Sequence, residues 1–336
     1  MRAYVYNGCM VVAAKNIQGR LAFAGGMTSV MVAGMLLLSP LSSRADDTSI
    51  GRASGVNEQE TANKTASIPP EQVQVSTPSY KPQFSEFDPP LGTYTYEVSW
   101  GGIPAAEAVV EVSQEGDSYR ITASAKTFSA IDLFYTLRYR AVGEISAVDL
   151  RPEFTKITQL ENSKVRSLDM RFHQNGDIEA TRTSQRQGRD KKTDSVRFNP
   201  NNGTLDPFSA SFLARSLEWK LGETKEFDTF NGQTRYLISL TAEDKRTIEV
   251  GGVEREVWVI VPTVKNLSSN RAHEKLRRAE IFVTADKARE IVQISSSVFV
   301  GTVNTTLESF EPAPPQSEQV RLALQRTREL TLADQG

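Results

Sequence analysis

Leu205-Asp206-Pro207-Phe208-Ser209-Ala210-Ser211-Phe212-Leu213-Ala214-Arg215 carries apolar residues at helical spacing, between two long runs that alternate like strands. Asp206 stands where an N-cap is wanted, and Pro207 at the first helical position, where a missing N–H costs nothing. Phe208, Phe212 and Leu213 form an apolar stripe that Leu217 continues; Trp219 and Leu221 follow before Gly222 ends the segment. A helix over 206–217 with that much aromatic area is expected to plug or cover a sheet.

Upstream, Tyr94, Tyr96, Val98 and Trp100 alternate with Thr95, Glu97 and Ser99, which predicts a half-buried strand. Gly101-Gly102 turns the chain into a partner over Ala106–Val112, and Glu115-Gly116-Asp117 turns it again into Tyr119–Ala125. Ile131–Leu137 is continuously apolar and reads as a short helix or a buried strand. Strands follow over Tyr139–Ile145, Glu153–Glu161, Lys164–His173, Asp177–Ser184 and Asp194–Phe198, with Asn175-Gly176 the strongest hairpin signal. Downstream of the helix, strands are expected at Lys225–Phe230, Gln233–Glu243, Arg246–Val250, Glu254–Val264, Ala279–Thr284, Glu290–Val300 and Thr302–Phe310. About a dozen strands and little helix make an all-β domain over 89–312. It is a large curved antiparallel sheet, an incomplete barrel or a sandwich, with one short capping helix.

The flanks read differently. Residues 1–45 contain Arg2, Lys15, Arg20 and Arg44 and no acid, an apolar run over 21–38, and small residues Ser43 and Ala45 around a cleavage point. This pattern predicts a signal peptide, with an uncleaved single-pass anchor as the alternative. Residues 46–88 are rich in Thr, Ser, Gln, Glu and Pro and read as a disordered linker. Residues 313–336 follow Pro312 as a tail, a short helix or disordered.

Composition excludes several functions. The single cysteine, Cys9, lies in the presequence, so the exported chain has no disulfide and no thiol nucleophile. Four of the 39 Lys and Arg residues lie in that presequence, leaving 35 against 41 acids and a net charge of −6. Such a mild acidity does not attract nucleic acid. His173 and His273 stand a hundred residues apart, so no metal site and no cofactor are expected. Ser209 has no histidine at motif spacing and no Gly-x-Ser-x-Gly elbow around it, and is expected to serve the helix start. No carboxylate pair has a distinctive spacing. A catalytic role is therefore not expected.

The β-meander opening, the Asp149-Leu150-Arg151-Pro152 turn, Asp206-Pro207-Phe208-Ser209-Ala210 with Arg215, and Ala285-Asp286-Lys287-Ala288-Arg289 before a strand together resemble a bacterial family of unknown function, DUF3108, over about 90–310. The resemblance implies an exported envelope protein with a β-rich domain and no general biochemical activity.

Two features point to binding. The aromatics Phe134, Phe208, Phe212 and Trp219, with Phe128 and Tyr135, would line an apolar pocket beneath the helix or form ordinary core. Arg186, Arg189, Lys191 and Lys192, in a basic stretch from Arg182 to Arg197, would meet an anionic surface or simply protect a hairpin end; Arg271, Lys275, Arg277 and Arg278 form a second cluster. The expectation is a periplasmic, non-catalytic envelope protein that binds an apolar or amphiphilic molecule in a curved sheet. The alternative is a scaffold or assembly partner of an envelope complex, with a hydrolase ranked last. The partner is then a lipid or another envelope protein, with no stable membrane span once the signal is removed.

Overall fold

Period-two alternation of apolar and polar residues, broken by two-residue glycine and asparagine turns, makes this chain a succession of hairpins. The computed structural model describes residues 89–201, 203–267, 279–297 and 301–314. The expected signal peptide, linker, second basic cluster and nearly all of the tail lie outside the described residues.

The first half comprises β1 (Gly92–Trp100), β2 (Ile103–Glu115), β3 (Ser118–Thr127), the single-turn α1 (Ser129–Asp132), β4 (Leu137–Ser146), β5 (Pro152–Glu161), β6 (Lys164–Phe172), β7 (Ile178–Arg186) and β8 (Lys192–Phe198). Helix α2 (Pro207–Ser216) separates it from β9 (Thr224–Phe230), β10 (Arg235–Val250), β11 (Val253–Asn266), β12 (Ala279–Thr284), β13 (Ile291–Ser297) and β14 (Thr302–Pro312). All fourteen strands belong to one antiparallel sheet in the order β8 to β1, then β14 to β9. The chain starts mid-sheet, walks to one edge, crosses through α2 to the opposite edge and walks back until β14 pairs with β1. Each strand is thus bonded to its chain neighbours except at the β8/β9 seam.

The sheet curls until that seam nearly closes. Phe198 of β8 meets Phe230 of β9 edge to face, with ring centroids 5.0 Å apart. The turn after β9 reaches β6: a Cβ on Gly232 would lie 2.3 Å from Leu168 Cδ1, so only glycine fits this approach. Leu205, in the segment entering α2, bridges to Thr229 and covers part of the β9 edge. Register shifts in β1, β4, β10 and β12 add local bending to the ordinary twist. The result is the incomplete barrel among the expected architectures, with one large core on its inner face.

Two local expectations are refined. Gln233–Glu243 and Arg246–Val250 are one strand, β10, whose polar Glu243-Asp244-Lys245 forms a bulge rather than a turn. Ile131–Leu137, expected as a short helix or a buried strand, is helical only at its start: α1 ends after one turn, and the chain then points Leu133 and Phe134 outward. With that merger the strands number fourteen among the described residues, in line with the dozen or so expected.

Helix α2 lies inside the curl. Gly143 of β4 gives Phe208 its seat, since a Cβ there would stand 2.5 Å from Phe208 Cδ2. Gly143→Val should therefore lift α2 off the sheet and cost about 1–3 kcal/mol, the usual range for overpacking. Urea denaturation of the variant against the parent chain checks this; an unchanged midpoint would show that α2 does not depend on that seat.

Candidate functional site

Helix α2 is fastened at both ends by buried polar contacts. At its start the Asp206 carboxylate accepts the Ser209 N–H at 2.7 Å and the Thr155 hydroxyl of β5, so the N-cap also ties the helix to the wall. At its end Arg215 donates from Nε to the Arg289 carbonyl at 2.7 Å and from Nη2 to the Ala288 carbonyl at 3.2 Å. Those carbonyls are offered by the β12–β13 turn, which Asp286 organises by accepting the Ala288 and Arg289 N–H groups. Two stretches separated by some seventy residues in sequence, the Asp206–Arg215 helix and the Ala285–Arg289 turn, thus form one unit.

Between these fasteners the helix presents Phe208 and Phe212. The Phe212 ring packs against Tyr119 at 5.4 Å and carries the Arg215 guanidinium at 5.3 Å on its other side. Below them a gap of about 60 Å³ remains, bounded by Phe208, Phe212, Arg215, Tyr94, Val110 and Thr305. Its walls are mainly apolar with Arg215, Ser211 and two tyrosines among them, and the Thr305 hydroxyl, fully buried, has no hydrogen-bond partner. Burial raises the Tyr94 phenol to about 12 against the lowering pull of Arg215, and it also raises that of Tyr96. Both phenols stay neutral at physiological pH, donating to the Pro90 and Ile291 carbonyls.

The expected pocket aromatics separate. Phe208 and Phe212 line the gap. Trp219 is buried but stands after the helix, its indole N–H donating to the Ala214 carbonyl at 3.2 Å. Phe134 is corrected: it is 71% exposed, because the single turn of α1 cannot carry the apolar run back to the core. Ser209 is wholly buried behind the cap, and its N–H, not its hydroxyl, holds the helix start to Asp206. His173 sits on the β6–β7 hairpin with Nε2 3.4 Å from Glu179, remote from Ser209 in the fold. Among the described residues, no group of three His, Cys, Asp or Glu side chains could hold a metal ion.

All four expected anion contacts are exposed at the β7–β8 hairpin. Their directions differ. Arg186 stands opposite Lys164 and Lys192 opposite Ser184, which puts both on the inner-face rows, whereas Arg189 and Lys191 belong to the turn. A second gap, of about 100 Å³, lies next to these rows against Gln159, Lys164, Arg166, Arg182, Asp194 and Gln233. The sequence reading passed over Gln159 and Lys164. The available signal was polar residues at positions of β5 and β6 that alternate in phase with buried Ile157 and Leu168.

The family model of DUF3108, a protein of unknown function, matches residues 95–308, and the chain belongs to that family. No curated protein matches it in sequence at a significant level. Among solved structures it is similar to a beta-barrel-like protein of the DUF1849 family from Brucella abortus, at 7% identity, TM-score 0.46, covering 68% of this chain and all of that one. It is also similar to a candidate lipoprotein from Parabacteroides distasonis, at 7% identity and TM-score 0.27, covering 67% of this chain and 98% of the other. Among the described residues, no helix is long and apolar enough to cross a membrane.

The cap is a titration point. Burial raises the Asp206 carboxyl above its ordinary 3.8, opposed by the Thr155 and Ser209 hydrogen bonds. A carboxyl raised in the folded state binds protons more readily there than in the unfolded chain, so stability falls as pH rises from 3.8 through the folded value. Asp206→Asn, which keeps an N-cap acceptor and removes the charge, should flatten this slope in urea titrations between about pH 4 and 7. Asp206→Ala should instead lose about 2–4 kcal/mol at every pH, through the missing cap and the orphaned Thr155 hydroxyl.

Proposed function

We propose that this chain is an exported, non-catalytic envelope protein that holds an apolar or amphiphilic molecule between α2 and the inner face of its barrel. The observation that carries the reading is the unfilled space beneath Phe208 and Phe212. An apolar gap of about 60 Å³ costs a core on the order of 1.5 kcal/mol. That cost is useful where a ligand's methylenes take the space.

The gap as it stands admits a short apolar segment, so a longer chain enters as α2 shifts. The helix suits such a motion. Its ten residues are too few to be stable alone. Polar fasteners at Asp206 and Arg215 hold it at two points, and both can exchange for water. Support for the envelope location comes from the N-terminal charge pattern, apolar run and cleavage point. Support for a non-catalytic role comes from the gap's walls, which bring together two neutral phenols and an arginine already engaged with backbone carbonyls.

Native mass spectrometry of the chain purified gently from the cells that make it tests the reading. A discrete lipid-sized adduct is expected on the parent protein. Thr305→Met, which lays a flexible thioether into the gap, should lose the adduct while keeping its circular dichroism. A bare parent mass, or an adduct that survives in Thr305→Met, would overturn the proposal.

A further inference from the structure

Two neighbouring cross-strand rows on the inner face change character as they run toward the seam. The first passes Tyr94, Val110, Ala123, Ala141, Ile157 and Leu168, then ends in Arg182 and Asp194. The second passes Tyr96, Ala108, Ala125 and Tyr139, then Gln159, Arg166, Ser184 and Lys192. Rows that are core residues over β1–β4 thus end, over β5–β8, in a local group of cations with one acid among them.

Gln159 marks the change. It is 1% exposed, yet neither its Nε2 nor its Oε1 has a hydrogen-bond partner. Its cross-strand neighbour Tyr139 is also buried with an unpartnered hydroxyl. Buried polar groups left unmatched cost about 1–3 kcal/mol each, so native cores avoid them unless something else supplies the bond. Gln159 faces the gap of about 100 Å³.

The rest of that wall selects the sign of the occupant. Lys164, Arg166 and Arg182 gather against two carboxylates, Asp194, which stands 3.7 Å from Arg182, and Glu161, opposite Lys164 on β5. Arg166 is held by Glu161 at 2.7 Å, a bond that leaves guanidinium donors on its other edge. Lys164 makes no ion pair among the described residues, and Arg186 stands directly opposite it on β7. Glu161, already paired with Arg166, is shared between these cations, which therefore outnumber the carboxylates beside them. Desolvation and the neighbouring Arg166 and Arg186 lower the Lys164 pKa against the raising pull of Glu161. Gln233, from the turn after β9, closes the gap from the far edge of the sheet.

We propose that this gap is a binding site for a phosphate group, taken from free phosphate or from the headgroup of an anionic envelope lipid. The Gln159 amide N–H, the Lys164 ammonium and the free edges of Arg166 and Arg182 donate to its oxygens, and the Gln159 carbonyl accepts a hydroxyl of the ligand or an accompanying water. Because Gln233 and Gly232 come from one edge of the sheet and Gln159 to Arg182 from the other, a bound phosphate bridges the seam. The site stands apart from the gap beneath α2, and it does not rest on that reading.

Calorimetric titration of the full chain with inorganic phosphate, and separately with dihexanoyl phosphatidylglycerol, tests the site, with Gln159→Leu and Lys164→Met as variants. Gln159→Leu replaces a side chain ending in an unmatched amide by an apolar one only one heavy atom smaller, so it should melt no lower than the parent in phosphate-free buffer. Both variants should weaken binding about tenfold or more, the loss expected for one charge-assisted hydrogen bond. Binding of inorganic phosphate that both variants lose identifies the free ion, whereas binding of the lipid alone, lost in both, identifies a headgroup. Heat unchanged in either variant, or absent with both probes, means the gap holds water only and overturns the site. Lys164 is partly exposed, so its variant keeps the test intact should Gln159→Leu fail to fold.

Discussion

A meander of antiparallel hairpins has no intrinsic reason to stop twisting, and here fourteen strands twist until their two edges face one another. What keeps those edges from pairing is the segment that joins them. It must run from the end of β8 to the start of β9, and it does so by turning into the barrel as α2. The helix occupies space that a closed barrel would fill with strand side chains. Its docking therefore governs both the curvature of the sheet and the width of the seam. The seam contacts, Phe198 on Phe230 and Gly232 on Leu168, are those of a structure that has curled as far as its plug allows.

The plug is held by a mixture of forces with different ranges. Burial of Phe208, Phe212 and Leu213 supplies the bulk of the attraction, each side chain contributing on the order of 2–3 kcal/mol, without fixing where the helix sits. Position comes from directional contacts. Asp206 reaches Thr155, Arg215 reaches two carbonyls beyond β12, and Gly143 removes a Cβ where the Phe208 ring must lie. The Arg215 contact is notable because its acceptors belong to a turn with Arg289 at φ 48°, a left-handed conformation that aims the carbonyl inward. Helix and turn each look unremarkable in isolation and are explained by one another.

Much of this was legible in the sequence, and the part that was not has physical causes. Strands with clean alternation and two-residue turns, such as β1, β2 and β12, were placed within a few residues, because period two and glycine turns are local properties. The cap and helix at Asp206 were readable for the same reason. Glu243-Asp244-Lys245 misled because a bulge and a turn draw on the same polar residues, and only the partner strand distinguishes them. Phe134 misled because an apolar run carries no record of which side of a one-turn helix faces the core. Gln159 was invisible for a subtler reason. Its place in phase with Ile157 is visible in β5, but the turn that arrives with Gln233 from the other edge of the sheet is not.

The inner face carries a gradient that neither stability nor solubility explains. Along one pair of rows, tyrosine, valine and alanine give way to glutamine and arginine and then to lysine at the exposed β7–β8 end. A barrel selected for packing alone would place leucine at Gln159 and keep cations on the outer surface, as β5 and β6 do with Lys156 and Arg171. Cations that face inward at the seam repel one another and resist its closure. The two gaps fall at opposite ends of this gradient, one apolar beneath α2 and one cationic against β5–β7. Their separation follows from the strand order: the gap beneath α2 is walled by β1 to β3, β13 and β14 at the middle of the sheet, whereas the cationic one lies beside the β8/β9 seam.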